Sequence, residues 1–588
     1  MPASGSSTST GAYCVLVFND SHLLALRRTA DGSLAPTVCG DGPAGSAEAA
    51  AREVAGGEAK AVWIADAGRE SARIALYFAL LPSEREPALQ GLEWWSMREL
   101  RALRETDPEQ LSSALADVLP AIQPHLIRIP YLNFSENEYV FRFRTEDQRN
   151  LAVYTGDERS RALYQSELCA AIKAARRQKE RTADAPAVLD FGAVRHVLPS
   201  HFGFCLGVQN AIERAYEAVA ENPGRRVYMI SELIHNPFVN DDLRSRGLTY
   251  LQTDRGVHIR NPETGRDWWD ELGRGDVVLT PAFGATDEDK VRLIERGIAI
   301  NRYDATCMLV EKVWKAARRY AQTGYTVVIH GKSEHEETKA TFSNSAKYGP
   351  SIIIRDLHEA EALGAVILAA DRAEKERLFA AFAGKHSAGF DVERDLQRLA
   401  VVNQTTLLRN ETVGIIDLLE SVMVRKYGPA EAGTHIHNKS RGDTLCYATQ
   451  VNQDALQRAL AMDVDAAIVI GGKNSSNTFQ LFRLCEARYG ARAHYIQSER
   501  NILSLERIEH YQFPYKPGTP GAGETRVRPF LAARDGPRTV LITGGASCPD
   551  GIIQQVIARV NSLFPAAQLR PIGDVIADIE RESETAGS

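Results

Sequence analysis

The 588-residue chain has little that would suit a membrane, a secretory route or a nucleic-acid partner. Its apolar runs stay well short of the roughly 20 residues that a transmembrane helix needs. Residues 1–8 contain neither a basic region nor an apolar core, so we expect a short tail and no signal peptide. A net charge of −7 gives no electrostatic support for nucleic-acid binding. We therefore expect a cytoplasmic protein without a membrane or nucleic-acid partner.

Cysteine is scarce, with eight residues spread over the whole chain and no close pairing. Such usage does not make a disulfide framework, and a reducing compartment is the default, which leaves thiols available for metal. The length is too great for one ordinary domain, and we expect three or four. The 44% hydrophobic and 25% charged content is typical of a globular protein.

The first unit is predicted over residues 12–124, after a tail at 1–11. It contains a strand hairpin near residues 13–26, a helix at 47–54 and a strand at 75–80. Together these resemble a Nudix domain, but Gly56 and Gly57 stand where that family has its metal-binding glutamates. Because magnesium needs those carboxylates, we interpret the unit as a degenerate Nudix-like α+β module with a structural or regulatory role.

Short apolar strands alternate with amphipathic helices over residues 195–575, after a connector at 125–194 and before a tail at 576–588. This alternation predicts an α/β fold, made of three small α/β subdomains with mostly parallel sheets and with sites at strand ends. Residues 371–399 are predicted to be a charged helical insertion, and the Pro- and Gly-rich residues 513–534 a loop. No function is assigned to either segment.

Three cysteines, Cys205, Cys307 and Cys446, each stand at the predicted start of a helix, about one per subdomain. Peptide dipoles at a helix N-terminus favour the thiolate. Three converging thiolates suit a [4Fe–4S] cluster with one iron left open. Zinc bound by three sulfurs and a water is the alternative on ligand type, and sequence spacing does not separate the two.

Two Gly-rich loops follow buried strands and precede helices, which is the arrangement that a phosphate group needs. The first, residues 471–477, carries Ser475, Ser476 and Asn477. The second, residues 543–550, carries Ser547, with Pro549 predicted in the first helical turn. Backbone N–H groups and hydroxyls donate to the phosphate, and the helix dipole offsets its charge.

Further polar residues follow other predicted strands. His235, His335 and Thr405 each come just after an apolar strand, and Glu337 stands two residues beyond His335. Histidine can donate to a phosphate, and a carboxylate can relay protons. These side chains are therefore candidates for the same centre as the cysteines.

Eight motifs of the chain occur in the order found in one family. They are residues 203–208, 235–236, 304–307, 335–338, 404–406, 446–449, 474–477 and 545–550. Over about residues 195–570 the chain thus resembles the LytB/IspH family of 4-hydroxy-3-methylbut-2-enyl diphosphate reductases. The resemblance does not include the N-terminal unit.

The resemblance implies three α/β lobes around a [4Fe–4S] cluster bound by Cys205, Cys307 and Cys446, with the fourth iron open to substrate. It implies the last step of the non-mevalonate isoprenoid pathway. In that step two electrons convert (E)-4-hydroxy-3-methylbut-2-enyl diphosphate to isopentenyl and dimethylallyl diphosphates. The resemblance also implies an external electron donor such as ferredoxin or flavodoxin. It implies that Glu337 supplies protons, with Thr405 in the relay. The implied substrate ligands are His235, His335, Thr405, Ser475, Ser476, Asn477 and Ser547.

The chain departs from the family pattern at two positions. Phe283 stands where many members have a histidine, which removes one potential diphosphate donor, and Met308 replaces the proline that usually follows the second cysteine. Since that proline acts on conformation, ligation by Cys307 should survive. Two other functions stay open: a [4Fe–4S] hydro-lyase acting on a phosphorylated substrate, and an iron–sulfur sensor.

Overall fold

The structure is a computed structural model of the chain. It describes residues 11–42, 44–55, 60–67, 74–81, 91–132, 151–176, 185–437, 444–514, 523–532 and 534–586. In these ranges no helix is both long enough and apolar enough to cross a membrane. Gly56 and Gly57, on which the degenerate Nudix interpretation depends, lie outside the described residues.

The N-terminal unit is built on one mixed sheet. Its strands are β1 (Gly11–Asn19), β2 (Leu24–Arg28), β3 (Leu34–Pro36), β4 (Val38–Gly42), β5 (Val62–Ala67), β6 (Ile74–Leu81) and β7 (Leu92–Trp95). Its helices are α1 (Ala44–Ala55), α2 (Met97–Thr106) and α3 (Ser113–Ile122). The order is β3-β2-β1-β6-β5, with β4 beside β1 and β7 beside β2. The predicted hairpin is confirmed, because β1 and β2 pair antiparallel.

Helices α4 (Glu158–Tyr164) and α5 (Glu167–Arg176) lead into the remaining strands. These are β8 (Ala187–Asp190), β9 (Val194–Leu198), β10 (Val227–Met229), β11 (Leu248–Tyr250), β12 (Val277–Leu279), β13 (Thr326–His330), β14 (Ser351–Ile354), β15 (Leu399–Asn403), β16 (Ile436–His437), β17 (Ala466–Ile470), β18 (Ala493–Ile496), β19 (Arg507–Tyr511), β20 (Thr525–Pro529) and β21 (Arg538–Gly544). Within the described ranges they form three mostly parallel sheets and one two-stranded antiparallel sheet, β19-β20. The first lobe has the order β11-β10-β12, the second β14-β13-β15-β16, and the third β18-β17-β21-β9-β8. The predicted α/β class with mostly parallel sheets is confirmed.

The helices of the three lobes pack on these sheets. They are α6 (Leu206–Glu221), α7 (Pro237–Ser245), α8 (Trp268–Glu271), α9 (Asp287–Glu295), α10 (Met308–Gln322), α11 (Glu336–Ala346), α12 (Leu357–Leu368), α13 (Arg372–Phe379), α14 (Arg409–Tyr427), α15 (Ala432–His435), α16 (Tyr447–Ala459), α17 (Ser476–Tyr489), α18 (Asp550–Asn561) and α19 (Ile572–Ala586). Buried runs such as Ala466–Ile470 give each sheet an apolar centre, as expected for parallel strands covered on both faces.

Three helices carry the chain from one lobe to the next. Helix α6 connects β9 of the third lobe to β10 of the first, α10 connects the first lobe to the second, and α16 connects the second to the third. The residues at the N-caps of these helices are Cys205, Cys307 and Cys446. The three predicted helix-head cysteines therefore stand where the chain passes from one lobe to the next.

The N-terminal unit shares a hydrophobic core with the first lobe. Phe18 of β1 belongs to the same buried cluster as Ile294 and Ile300. In the turn after β1, His22 has a φ of 62° and its Nε2 accepts from the Ile300 N–H at 3.4 Å. The side chain of Leu23 fills the space where a Cβ at residue 297 would stand, a position held by glycine. The unit is thus packed against the first lobe rather than tethered to it.

Two segments differ from their prediction. Only Arg372–Phe379 and one 3-10 turn are helical in 371–399, and the remainder is irregular until β15. Val392 and Leu396 are nevertheless buried in the second lobe, so this segment packs by apolar contacts without helical periodicity. The predicted loop 513–534 contains β20, which pairs with β19. All prolines and glycines of this segment except Pro529 precede β20. The high Pro and Gly content of the segment as a whole therefore led to a loop prediction where a strand is present.

Several elements cross the predicted domain limits. The 3-10 helix Gln123–Tyr131 contributes Leu126 to the core of the N-terminal unit, and β8 joins the third sheet. Helix α19 runs past residue 575, and Ile579 on it is buried. The division into domains stays a prediction.

Candidate active site

One pocket between the three lobes is lined by all of the predicted site residues. They are Cys205, His235, Cys307, His335, Glu337, Thr405, Cys446, Ser475, Ser476, Asn477 and Ser547. The pocket has about 670 Å³ free of protein atoms, part of it open to solvent. Residues from distant parts of the sequence thus meet at one place because the strand ends of the three lobes face each other.

Cys307 packs against the first turn of α6, the helix that Cys205 caps. A Cβ at residue 207 would collide with Sγ of Cys307, so Gly207, on the first turn of α6, is required for this approach. Burial, together with a smaller contribution from the nearby Cys205, raises the pKa of the Cys446 thiol to about 11. At Cys446 the cost of burying the negative charge therefore outweighs the stabilisation by the helix dipole. A bound metal cation would be needed to keep this thiol deprotonated.

The sequence left a [4Fe–4S] cluster and a zinc ion open as the group held by the three cysteines. Among the described residues, no three His, Cys, Asp or Glu side chains are grouped closely enough to hold one metal ion. A zinc site needs its ligands to converge on a single point, whereas in a cubane cluster each thiolate binds a different iron. Cys205, Cys307 and Cys446 line one pocket, so all three are available as ligands of a group bound there.

Two histidines and a phenylalanine form one wall of the pocket. The ring of Phe283 stacks on His235 with centroids 4.3 Å apart, and His335 meets both rings edge-on. Nδ1 of His335 accepts from the Glu337 N–H at 3.2 Å, so the ring proton belongs on Nε2. Burial holds the pKa of His335 well below its ordinary value, so the ring is neutral. In the described structure that Nε2 and both ring nitrogens of His235 have no hydrogen-bond partner.

The first Gly-rich loop, residues 471–477, is called the serine loop below, and its Ser475, Ser476 and Asn477 line the same pocket. Ser475 is the N-cap of α17 and accepts from the Thr478 N–H at 3.3 Å, while its Oγ lies 3.4 Å from Oγ of Ser547. The Ala546 N–H donates to Oδ1 of Asn477 at 2.8 Å, which orients the amide. Within the described ranges, Nδ2 of Asn477 and Oγ of Ser476 are left unpaired. Pro549 is the N-cap of α18 rather than part of its first turn.

Glu337 lies on the first turn of α11 and is 1% exposed. Its Oε1 accepts from the Thr405 N–H at 2.5 Å, and its Oε2 has no partner among the described residues. Burial raises the pKa of Glu337 to about 7, because few groups stabilise the charge. A carboxyl with this pKa can hold and release a proton near neutral pH.

Comparison with known proteins gives a family. The model of the LytB protein family matches residues 197–561. A 4-hydroxy-3-methylbut-2-enyl diphosphate reductase of Synechococcus sp. (strain CC9311) is 38% identical over 375 residues, 64% of this chain and 87% of its own. The enzyme of the same name from Prochlorococcus marinus (strain MIT 9211) is 36% identical over 400 residues, 68% of this chain and 90% of its own. The chain belongs to the LytB family.

Two solved structures are also similar. An (E)-4-hydroxy-3-methyl-but-2-enyl diphosphate reductase, the terminal enzyme of the non-mevalonate pathway, is 23% identical, with a TM-score of 0.35 over 62% of this chain and 98% of its own. A Plasmodium falciparum E-1-hydroxy-2-methyl-but-2-enyl-4-diphosphate reductase is 20% identical, with a TM-score of 0.43 over 63% of this chain and 88% of its own. LytB enzymes use an iron–sulfur cofactor. The LytB match begins after the N-terminal unit, whose Nudix-like character stays a prediction.

Two residues beside the pocket belong to the family motifs but were not among the predicted site residues. Asn236 caps α7 and its Nδ2 donates to the carbonyl of Ser547 at 2.9 Å, joining the first lobe to the third. An asparagine directly before Pro237 is a helix-start signal that could have identified it. Both carboxyl oxygens of Glu336 are buried, and burial raises the pKa of this carboxyl well above the ordinary value. Nothing in the sequence distinguishes it from an exposed glutamate on a first turn.

Proposed function

We propose that this chain reduces (E)-4-hydroxy-3-methylbut-2-enyl diphosphate to isopentenyl and dimethylallyl diphosphates, the last step of the non-mevalonate isoprenoid pathway. One observation carries the proposal: unpartnered buried polar atoms of the described residues meet three helix-head cysteines in one pocket. The polar atoms belong to His235, His335, Glu337, Ser476 and Asn477. Each such atom costs about 1–3 kcal/mol if nothing pairs with it, so the pocket suits a highly polar ligand.

The diphosphate is proposed to bind between the histidine wall and the serine loop. Nε2–H of neutral His335 and Nδ2 of Asn477 are donors without acceptors, and phosphate oxygens are acceptors. Oγ of Ser476 and the N-terminus of α17 add a hydroxyl donor and a positive dipole end. His235 and Ser547 complete the set, and Oγ of Ser547 donates to the main-chain carbonyl of His235 at 3.4 Å, which keeps the two residues adjacent.

The pocket also has an apolar side, which matches the carbon skeleton of the substrate. The pocket is also lined by Val208, Ile234, Phe283 and Val310. Phe283 presents a ring face where many relatives present a histidine, so in this chain the third donor is replaced by apolar contact. We assign diphosphate recognition to the two remaining histidines and the serine loop.

Cys205, Cys307 and Cys446 are proposed to hold a [4Fe–4S] cluster through three of its irons. When bound, the cluster supplies electrons and Lewis acidity for the loss of the allylic hydroxyl. The helix N-termini behind the three thiolates stabilise their negative charge. Met308 occupies the first position of α10 without displacing Cys307 from its N-cap.

Glu337 is proposed to deliver the proton that the departing hydroxyl takes up. Its Oε1 is held by the Thr405 N–H, which leaves Oε2 as the oxygen that carries the proton into the pocket. The Thr405 hydroxyl is proposed to relay between Glu337 and the substrate. The overall reaction consumes two electrons and two protons and releases water, so a refillable acid near neutral pH is the required group.

We also propose an electron donor, a cellular compartment and a role for the N-terminal unit. The electrons are proposed to come from a small external redox protein such as ferredoxin or flavodoxin. Thiolates held as iron ligands need a reducing environment, and we propose the cytoplasm. The N-terminal unit is proposed to stabilise the first lobe, because Phe18 and Leu23 pack against it.

Anaerobic reconstitution with iron and sulfide, followed by substrate and a strong reductant, tests the proposal. We expect a cluster absorption spectrum and both isoprenoid diphosphates as products. Turnover of the substrate without any reductant would instead indicate a hydro-lyase. A stable cluster with no conversion under reducing conditions would contradict the reductase and favour a sensor.

A further inference from the structure

Two cysteines outside the pocket stand opposite each other in the N-terminal unit. Cys14 on β1 and Cys39 on β4 are register partners on adjacent antiparallel strands. Their sulfur atoms lie 2.9 Å apart. The pair lies outside residues 197–561, which match the LytB family, so the family's chemistry does not account for it.

We propose that Cys14 and Cys39 are a redox modification site, which hydrogen peroxide converts to a reversible cross-strand disulfide. Directly opposed residues of an antiparallel pair have Cα atoms about 4.5 or 5.5 Å apart, depending on the type of pair. A disulfide needs a Cα separation of about 4.4–6.8 Å, so either arrangement can close without moving the strands.

The two thiols differ in access and in reactivity, which gives each a role. Cys39 is exposed and Cys14 is completely buried. Contact with Cys14 and, less strongly, the charge of Arg27 lower the pKa of the Cys39 thiol, while the same contact and burial raise that of Cys14. Cys39 is therefore the thiol that meets the oxidant as a thiolate, and Cys14 the thiol that resolves it.

The chemistry is balanced. The Cys39 thiolate attacks one peroxide oxygen, the O–O bond breaks, and hydroxide leaves with a sulfenic acid on Cys39. The Cys14 sulfur then attacks the sulfenic sulfur, the S–O bond breaks, and the Cys14 proton leaves with the oxygen as water. One peroxide is reduced to two waters while two thiols lose two electrons. A dithiol reductant reverses the change by exchange.

Peroxide treatment of the cluster-loaded full chain tests this site. The chain is exposed anaerobically to one equivalent of hydrogen peroxide, alkylated, digested and analysed by mass spectrometry. We expect a cross-linked peptide that joins Cys14 to Cys39 and disappears after dithiothreitol. Cys39→Ser, at an exposed position, should lose the cross-link completely. Cys485→Ala, which removes a lone buried thiol of α17, should retain it.

A trapping arm identifies which sulfur is oxidised first. In Cys14→Ala, which has no resolving thiol, dimedone should label Cys39 after peroxide. Retention of both reduced peptides in the wild type, a disulfide of Cys39 with a different cysteine, or absence of the dimedone adduct would overturn the proposal. None of these readouts depends on turnover, so the result is independent of the reductase assignment.

Discussion

The central pocket and the N-terminal unit both contain buried polar atoms without a hydrogen-bond partner in the described structure, but these atoms are arranged differently. In the N-terminal unit, Nδ1 of His22 and Oε1 of Gln123 have no hydrogen-bond partner among the described residues, and neither residue lines the pocket. In the pocket, the unpaired atoms of His235, His335 and Glu337 line a single cavity. Burial of a polar atom alone therefore does not identify a functional site. Several buried polar atoms that lack hydrogen-bond partners and line the same cavity do.

Mutations in the two regions should also have different effects. A change in the pocket should affect chemistry with little effect on folding, because its polar atoms already lack protein partners. A change in the contact between the N-terminal unit and the first lobe should affect folding with little effect on chemistry, because that contact is apolar.

Loss of one cluster ligand should have the largest effect. Cys307→Ala is expected to lower bound iron and to reduce turnover below detection, because three thiolates are already the minimum for this cluster. Iron and sulfide analysis with the visible spectrum measures this. Cys485→Ala is the matched control: it removes a buried thiol of α17 and should keep iron and turnover. A full iron complement and normal turnover in Cys307→Ala would contradict the assignment.

Removal of the proton donor should come next. Glu337→Gln keeps the side-chain size and can still accept from the Thr405 N–H, but it cannot release a proton. We expect kcat to fall about 10²–10⁴-fold with an unchanged cluster spectrum, the usual contribution of a general acid. Glu334→Gln, on the same loop but paired with Arg355 at the surface, should leave kcat unchanged. Equal kcat values in both variants would exclude the role of Glu337.

The pH dependence should follow the same group. Burial favours the neutral carboxyl of Glu337, whose pKa is raised to about 7, so the acid form is present below that pH and is lost as pH rises through it. We expect kcat to fall about tenfold per pH unit above neutrality, in proportion to the protonated fraction. The profile of kcat against pH measures this. In Glu337→Gln the descending limb should vanish, and its persistence there would assign the titration to another group.

The apolar contact of the N-terminal unit should show the opposite pattern. Leu23→Ala removes the side chain that packs at Gly297 and should lower the free energy of unfolding by about 2–5 kcal/mol. The kcat of the folded enzyme should stay unchanged, as judged by urea denaturation beside the activity assay. Leu503→Ala, at an exposed leucine, should change stability by less than about 0.5 kcal/mol. A fall in kcat without a fall in stability would place the N-terminal unit in the chemistry.

The components of the pocket could be predicted from the sequence because each follows a strong local signal. Ser475, for example, stands between a buried strand and an amphipathic helix, where a cap and a phosphate loop share the same pattern. The helix starts at Cys205, Cys307 and Cys446 were found in the same way. All three are N-caps in the structure.

What could not be predicted depends on packing between distant segments. Periodicity does not show that α6, α10 and α16 each connect one sheet to the next, although this is what brings the cysteines together. The pairing of Cys14 with Cys39 depends on strand register in a sheet where β4 inserts beside β1. The strand β20 was not predicted because the segment was judged by its average composition, which is rich in Pro and Gly before the strand but not within it.

The central claim is that three cysteines at the junctions between lobes hold a cluster with one iron facing the substrate. Mössbauer spectroscopy of the chain reconstituted with ⁵⁷Fe, recorded with and without (E)-4-hydroxy-3-methylbut-2-enyl diphosphate, tests it most directly. We predict that about one iron in four differs from the rest and that its signal alone changes when substrate is added. Four irons that all ignore the substrate, or a site that binds no cluster, would contradict the account.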